Sequence, residues 1–264
     1  MAELRAMVLP ISMCVLASAC TTGSLQDPST APQSAPEQNV PYSQIWSANS
    51  GIDLFSRGAE LVRAALEAGT YASYYSLGTT FPGYRDAVGG PLHFDDAEIL
   101  PALVPNGRGD NELGLWTDHY HIASLTETPT EIVADVCDYR QRPTEVTKSS
   151  NAQVGFPWVV HLRNTTDTPG LPGIPDTDPD TSDPRALRVP DWNVFGRWQI
   201  TKLHAGGRDW KGTAPEECTN WWLQRFPGSN ATDDGNVLVP AGTVVPGVPV
   251  AQQYPEWIGP SEPQ

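Results

Sequence analysis

Positive charge is scarce in this sequence. Its 264 residues include 16 Lys and Arg against 31 Asp and Glu, which gives a formal net charge of -15. A surface with this charge repels phosphate backbones and anionic lipid headgroups. We therefore expect no nucleic-acid partner, and any attachment to a membrane requires a covalent or inserted anchor.

Long hydrophobic runs are missing as well. The longest one, Ala6–Ala19, is interrupted by Pro10. As a helix it would be about 21 Å long, which is short of the ~30 Å hydrocarbon core of a bilayer. A short apolar run after a basic residue, here Arg5, is typical of a secretory signal peptide. We therefore expect residues 1–19 to be a signal peptide.

Cysteine is rare, with four in the chain, and Cys14 lies inside the expected signal peptide. Cys20 follows Leu16-Ala17-Ser18-Ala19, which resembles the lipobox of bacterial lipoproteins, where the cysteine is diacylated after cleavage just before it. The resemblance implies a lipid anchor at Cys20 on the extracytoplasmic face of the cell membrane, since two acyl chains suffice for stable anchoring. Cleavage after Ala19 without lipidation would instead give a secreted protein.

The other two cysteines are Cys137 and Cys218. Two cysteines in an exported domain predict a disulfide, with a pair of free thiols or a catalytic cysteine as the alternative. No CxxC spacing indicates a redox or zinc site.

Composition and periodicity divide the chain into segments. Residues 20–50 are rich in Ser, Thr, Pro and Gln, which predicts a disordered linker after the lipidated cysteine. Residues 51–226 are predicted to form a single domain. Residues 227–264 are rich in Pro, Gly and Val and are predicted to be an irregular tail, and the Asp- and Pro-rich residues 165–191 are predicted to be an acidic surface loop.

Within the domain, apolar residues recur every three or four positions from Leu54 to Leu66, which predicts a helix that ends near Gly69. A shorter helix is predicted over Phe94–Leu100. Alternating apolar and polar residues predict strands over 113–125, 130–140, 154–164 and 192–204. The fold class is therefore α+β, with N-terminal helices packed on one face of a curved antiparallel sheet.

Two features can be compared with a known family. One is the order of the predicted elements, with helices first and long strands after them. The other is a set of four short segments: His119-Tyr-His121-Ile, Val133-Ala-Asp-Val-Cys137-Asp-Tyr139, Gly196-Arg-Trp198-Gln-Ile200 and Glu217-Cys218. Together they resemble actinobacterial extracytoplasmic lipoproteins that carry a domain of the nuclear transport factor two superfamily, the group that includes ketosteroid isomerase. The resemblance covers about residues 50–226. It implies a cone-like fold with a hollow interior.

Common catalytic motifs are absent: the sequence has no GxSxG, SxxK, HExxH or phosphate-binding glycine loop. The alternative to a non-catalytic protein is a cone-fold isomerase, dehydratase or hydrolase, in which burial raises the pKa of a cavity carboxyl. The candidate catalytic residues are Asp118, His119, His121, Tyr139 and His161, with Tyr74, Tyr75 and Asp138 as further acid–base candidates.

A metal site is the second chemical hypothesis. His119 and His121 would leave one face of a strand about 6.6 Å apart. Zinc would need at least one further ligand, and the choices are His93, Asp95, Asp96 and His161. We favour the alternative that the pair are polar residues on the open face of the sheet or hydrogen-bonded lining, so we expect no metal and no cofactor. Asp176-Thr-Asp178-Pro-Asp180 lacks the glycine and glutamate of a calcium loop.

Six tryptophans, namely Trp158, Trp192, Trp198, Trp210, Trp221 and Trp222, either line a pocket for an apolar or glycan ligand or pack around the disulfide. The sequence as a whole predicts a lipid-anchored protein of the bacterial envelope. Its expected role is non-catalytic: it binds a small apolar ligand or another envelope protein. A cone-fold enzyme is the alternative.

Overall fold

The computed structural model describes residues 36–89, 98–99, 114–164, 166, 170–206 and 213–260, with the backbone alone for 98–99. The helices are α1 (Arg57–Tyr74), α2 (Tyr84–Ala87) and α3 (Glu216–Arg225). The strands are β1 (Tyr42–Ala48), β2 (Glu98–Ile99), β3 (Trp116–Glu127), β4 (Glu131–Gln141), β5 (Val146–Thr147), β6 (Ala152–Gln153), β7 (Pro157–Asn164), β8 (Ala186–Leu187), β9 (Trp198–Ala205), β10 (Asn230–Ala231), β11 (Val237–Val239), β12 (Val244–Val245) and β13 (Trp257–Ile258).

The central sheet has six strands in the order β1-β3-β4-β7-β9-β2. Strands β3, β4, β7 and β9 pair antiparallel in chain order, which confirms the four predicted strands. The two edge strands run parallel to their neighbours, β1 to β3 and β2 to β9. The protein is therefore mixed α/β, and the prediction of a fully antiparallel sheet is wrong at both edges.

The predicted linker over residues 20–50 is wrong at its C-terminal end, because β1 lies there. Tyr42, Gln44 and Trp46 all lie on one face of the strand, and each is buried. The alternation is hard to recognise in the sequence because Ser43 and Gln44 are polar although both are buried. Residues 1–35, with Cys20 and the expected signal peptide, lie outside the described residues.

Helix α1 covers one face of the sheet, here called the α1 face. The hydroxyl of Ser56 caps the helix by accepting a hydrogen bond from the Ala59 amide at 3.2 Å, and this cap places the start of α1 after the predicted Leu54. The helix also runs past Gly69, and the Tyr75 amide closes its last turn on the Tyr71 carbonyl. Nearly every residue of α1 is buried. Among the described residues, no helix is long and apolar enough to span a bilayer.

Helix α3 packs on the opposite face of the sheet, here called the α3 face, so the prediction of helices on one face is wrong. A disulfide joins Cys218 in the first turn of α3 to Cys137 on β4, with the Cα atoms 5.4 Å apart, and this confirms the predicted bond. Trp221 and Trp222 pack beside it in a separate apolar cluster. The disulfide thus fixes the helix to this face.

The predicted acidic surface loop packs against the domain. Asp176 is buried and accepts a hydrogen bond from the Glu256 amide at 2.7 Å, and β8 pairs with β13. The predicted tail also belongs to the domain, since Trp257 is buried in the core beneath α1. Of the predicted helix over Phe94–Leu100, residues 98–99 form strand β2, and the rest lies outside the described residues.

Candidate functional site

The sequence-predicted site residues are divided between the two faces of the sheet. Asp118 shares the α1 face with the core residue Tyr120, because side chains alternate along β3. His119 and His121 point to the α3 face, where the strand register places them opposite Tyr139 and Cys137 of β4. The sheet therefore separates the candidate carboxylate from the candidate imidazoles.

Asp118 is fully engaged in structural contacts. Its carboxylate accepts hydrogen bonds from Nε and Nη2 of Arg140 at 2.6 and 3.0 Å, and from Nε1 of Trp116 at 2.9 Å. The guanidinium of Arg140 also lies 4.2 Å from the centre of the Trp116 ring. Both oxygens of this buried carboxylate are therefore occupied by Arg140 and Trp116, and Asp118 serves to join β3 to β4.

His121 is held as a neutral ring. The Asn49 amide donates to the Ala123 carbonyl at 2.8 Å, which directs its Oδ1 toward Nε2 of His121 at 2.9 Å. Nε2 therefore carries the proton, and Nδ1 pairs with the Ser47 hydroxyl at 2.8 Å. Burial, and then the charge of Arg225, lower the pKa of His121 to about 4.

His119 orients a neighbouring amide. Its ring stacks on Tyr139, and its Nε2 lies 2.8 Å from Oε1 of Gln141. Burial lowers the pKa of His119, so the neutral ring donates from Nε2 to this oxygen. The amide nitrogen of Gln141 has no hydrogen-bond partner among the described residues and is left as a free donor.

His161 lies away from the other two histidines. It pairs with Val133, six residues before Tyr139 along β4, which corresponds to about 20 Å. Within the described parts of the chain, no group of three or more His, Cys, Asp or Glu side chains could hold a metal ion. His93, Asp95, Asp96 and Trp210 fall outside those parts.

A groove opens on the α3 face where α3 ends. Its volume is about 320 Å³, at the lower end of the range of roughly 300–1,000 Å³ for small-molecule sites. The walls are mainly apolar, with a few polar groups between them. The lining residues are Gln141, Arg225, Phe226, Pro227, Ser229, Val239, Thr243, Val244, Val245, Pro246 and Val248.

Two segments build the walls of the groove. The disulfide and a 2.8 Å hydrogen bond from Nε1 of Trp222 to the Asp138 carbonyl hold α3 on the sheet, and this places Arg225 and Phe226 at one wall. The other wall is residues 239–248. It approaches the β4–β5 connection so closely that a Cβ on Gly247 would lie 2.3 Å from the Pro143 carbonyl oxygen. Only glycine fits there.

The charge of the groove differs from that of the whole chain. Among the described residues, its lining contains Arg225 and no Asp or Glu, although acidic residues outnumber basic ones in the sequence. Arg225 is exposed, lies 6.0 Å from the centre of the Trp221 ring, and has no ion-pair partner among the described residues. The guanidinium is therefore free to bind an anionic group.

Two buried carboxyl groups have raised pKa values but lie outside the groove. Burial raises the pKa of Asp138 to about 6, and its oxygens accept hydrogen bonds from the Phe156 amide and from Nε1 of Trp158. Burial also raises the pKa of Glu67 on α1 to about 7. Each carboxyl joins structural elements, and neither belongs to the groove lining.

The tryptophans in the described segments serve mainly as packing. Trp221 and Trp222 surround the disulfide, and Trp158, Trp192 and Trp198 belong to or pack against the core beneath α1. None of these five lines the groove.

Comparisons with protein-family models, curated proteins and solved structures found no match.

The groove was not predicted from the sequence because α3, which forms one of its walls, was not predicted. The signals for this helix are present, with Pro215 before it, Glu216 and Glu217 in its first turn and Arg225 in its last. The other wall of the groove, residues 239–248, could not be predicted in this way, because this segment is rich in Val, Pro and Gly and has neither helical nor strand periodicity.

Proposed function

We propose that this protein is a non-catalytic binding module, lipid-anchored on the extracytoplasmic face of a bacterial cell envelope, and that the groove at the end of α3 is its ligand site. The observation that carries the proposal is the groove itself. It combines apolar walls of Val and Pro with one unpaired arginine and one oriented amide, as in small-molecule sites that bury an apolar body and fix its orientation with a few polar groups.

Two features support the location. The Cys137–Cys218 disulfide is typical of proteins that fold in an oxidising compartment. Cys20 follows small residues that resemble a lipobox. If Cys20 carries the anchor, Cys20→Ser moves the protein from the membrane fraction to the soluble fraction. A Cys20→Ser variant that stays in the membrane fraction would contradict lipidation.

We also propose that α1 and the sheet form the cone-like arrangement of the nuclear transport factor two superfamily. The antiparallel succession β3-β4-β7-β9 after an N-terminal helix supports this. The interior of such a cone corresponds to the α1 face, which in this chain is filled by Trp46, Tyr120 and Trp257. A ligand site on the α3 face is therefore favoured over one inside the cone.

Binding is favoured over catalysis because the candidate acid–base residues have structural partners. Asp118 is paired with Arg140, and both ring nitrogens of His121 are hydrogen-bonded. The residues that the structure describes around the groove include no carboxyl, imidazole or thiol group that could transfer a proton. The enzyme alternative would require a reacting group that contacts a bound ligand.

Native mass spectrometry tests the proposal. The chain is expressed with export, purified without denaturant and compared with two variants that each add one indole. Thr243→Trp fills the groove, whereas Leu171→Trp changes an exposed residue outside the groove lining. We expect a bound species of defined mass on the wild type and on Leu171→Trp, reduced at least tenfold on Thr243→Trp. Equal occupancy in all three proteins would place the ligand elsewhere.

A further inference from the structure

We infer that the groove selects amphipathic carboxylates, with Arg225 and Gln141 binding the carboxylate and His119 acting as a positioning residue for Gln141. This inference rests on the proposed ligand-binding function and adds the chemical class of the ligand. It depends on three features of the groove, which are its charge, its hydrogen-bond donors and its size.

Charge gives the first argument. Arg225 contributes a full positive charge to a lining with no acidic residue in the described part of the chain. The last carbonyl groups of α3 oppose an anion, but a helix C-terminus carries only about -0.5 of an elementary charge. The Phe226 amide also satisfies one of those carbonyls, that of Trp222, at 2.8 Å. The guanidinium therefore dominates, and it matches the planar, bidentate geometry of a carboxylate.

The orientation of Gln141 gives the second argument. Its Oε1 accepts from Nε2 of His119, so its amide nitrogen, which donates hydrogen bonds, remains available on a residue of the groove lining. His119 is itself fixed by stacking on Tyr139, with the ring centres 4.5 Å apart. The groove thus presents a second donor in addition to Arg225. Two donors in a described lining that has no carboxylate favour an anionic headgroup over a cation or a neutral alcohol.

Size gives the third argument. A volume of about 320 Å³ holds roughly ten non-hydrogen atoms if each occupies about the 30 Å³ of a water molecule. Octanoate has this size. Its chain would lie against Val239, Val244 and Val245, while its carboxylate reaches Arg225.

Isothermal titration calorimetry of the exported, oxidised chain with octanoate, octan-1-ol and octylammonium tests the inference. We expect octanoate to bind more tightly than both other probes. Arg225→Gln should weaken octanoate binding about tenfold to a hundredfold, the usual effect of losing a charge-assisted hydrogen bond, and should weaken octan-1-ol binding much less, because a neutral hydroxyl gains only an ordinary hydrogen bond from the guanidinium. Arg185→Gln, which changes an arginine paired with Asp183 outside the groove, is the matched control.

His119→Phe tests the positioning role, because phenylalanine keeps a ring to stack on Tyr139 but has no N–H for Gln141. We expect it to lower octanoate affinity and to leave octan-1-ol affinity unchanged, a split that a general packing defect would not produce. In a Gln141→Leu background, His119→Phe should have no further effect on octanoate binding, because the two residues act through one hydrogen bond.

The outcomes separate the two proposals. If octan-1-ol or octylammonium binds the wild type as tightly as octanoate, or if Arg225→Gln leaves octanoate binding unchanged, the carboxylate class is wrong while ligand binding stands. If none of the three probes binds, the carboxylate inference is overturned, and the bound species sought by native mass spectrometry decides the function on its own. An additive effect of His119→Phe in the Gln141→Leu background would overturn the positioning role.

Discussion

Glu67 accepts a hydrogen bond from Nε1 of Trp257, 190 residues later in the chain, at 2.7 Å. Its other carboxylate oxygen accepts from Nε1 of Trp46 at 2.8 Å. One buried carboxyl on α1 therefore joins strand β1 to the C-terminal segment. Earlier in the same segment, residues 239–248 form the second wall of the groove. The hydrogen bond from Trp257 to Glu67 therefore attaches the chain that follows this wall to α1.

Removing the indole N–H of Trp257 tests its hydrogen bond to Glu67. Trp257→Phe keeps an aromatic ring but leaves one oxygen of Glu67 without its partner, so we expect the free energy of unfolding to fall by about 1–3 kcal/mol. Urea denaturation followed by circular dichroism measures the change. Trp192→Phe is the control, because the buried Nε1 of Trp192 has no hydrogen-bond partner in the described segments. Equal losses in both variants would mean that ring packing, and not the hydrogen bond, carries the effect.

The raised pKa of Glu67 predicts a specific pH dependence. The pKa is raised from 4.5 to about 7, so between these values the unfolded chain releases the Glu67 proton while the folded chain keeps it. The contribution of Glu67 to the free energy of unfolding is therefore fully present below about pH 4.5 and is lost as the pH rises to about 7.

Glu67→Gln removes this titration. We expect the difference in free energy of unfolding, wild type minus Glu67→Gln, to decrease as the pH is raised from 4.5 to 7 in a series of urea titrations. A difference that increases with pH would show instead that the buried Arg63 and nearby Arg188 hold the carboxyl ionised.

The lowered pKa of His121 predicts that the free energy of unfolding depends on pH in the opposite direction. Its pKa is lowered from 6.5 to about 4, so between these values the unfolded chain takes up a proton that the folded chain does not bind. The free energy of unfolding should therefore fall as the pH falls from 6.5 to 4. We expect the difference between wild type and His121→Phe to decrease over the same interval. If this difference does not change with pH, burial and the charge of Arg225 do not keep His121 neutral in the folded chain.

The disulfide should stabilise both the fold and the groove. Its cysteines are separated by 81 residues, so the loop-entropy relation gives about 4 kcal/mol. We expect the double variant Cys137→Ala, Cys218→Ala to lose about this much in urea denaturation, and octanoate binding to weaken because α3 is less firmly held. Chemical reduction of the wild type provides an independent comparison. Unchanged stability after reduction would contradict the structural role of the bond.

The sequence predicted the central strands well because each of them alternates between two chemically distinct faces. The segment that contains Trp116, Tyr120 and Ile122 is an example, since apolar residues on one face alternate with Thr117 and His119 on the other. The disulfide was predictable for a different reason, because Cys137 and Cys218 are the two cysteines within the predicted domain and leave a single pairing.

Strand β1 and the acidic segment could not be recognised in this way. Ser43, Gln44 and Asp176 look like surface residues, yet each is buried because a distant segment supplies its hydrogen-bond partner or covers it. Such partners depend on tertiary structure and leave no periodic signal. The same holds for Glu67, whose burial depends on Trp46 and Trp257 far along the chain.

The candidate site was predicted only in part. His119 was singled out as a catalytic or metal-binding residue, whereas its Nε2 donates to Gln141, which lines the groove. Arg225 gave no signal of its own, because an arginine in the last turn of a helix is also a common helix-stabilising residue. Its importance depends on the lack of acidic neighbours in the folded groove.

Methyl NMR is the most direct test of the central claim that the groove at the end of α3 binds the ligand. Valine methyl groups are labelled in the oxidised chain, and octanoate is titrated while their chemical shifts are recorded. We predict that the largest changes occur at Val239, Val244 and Val245, with little change at Val136 and Val160 beneath α1. Changes concentrated at Val136 and Val160 would place the ligand on the α1 face of the sheet and contradict the account.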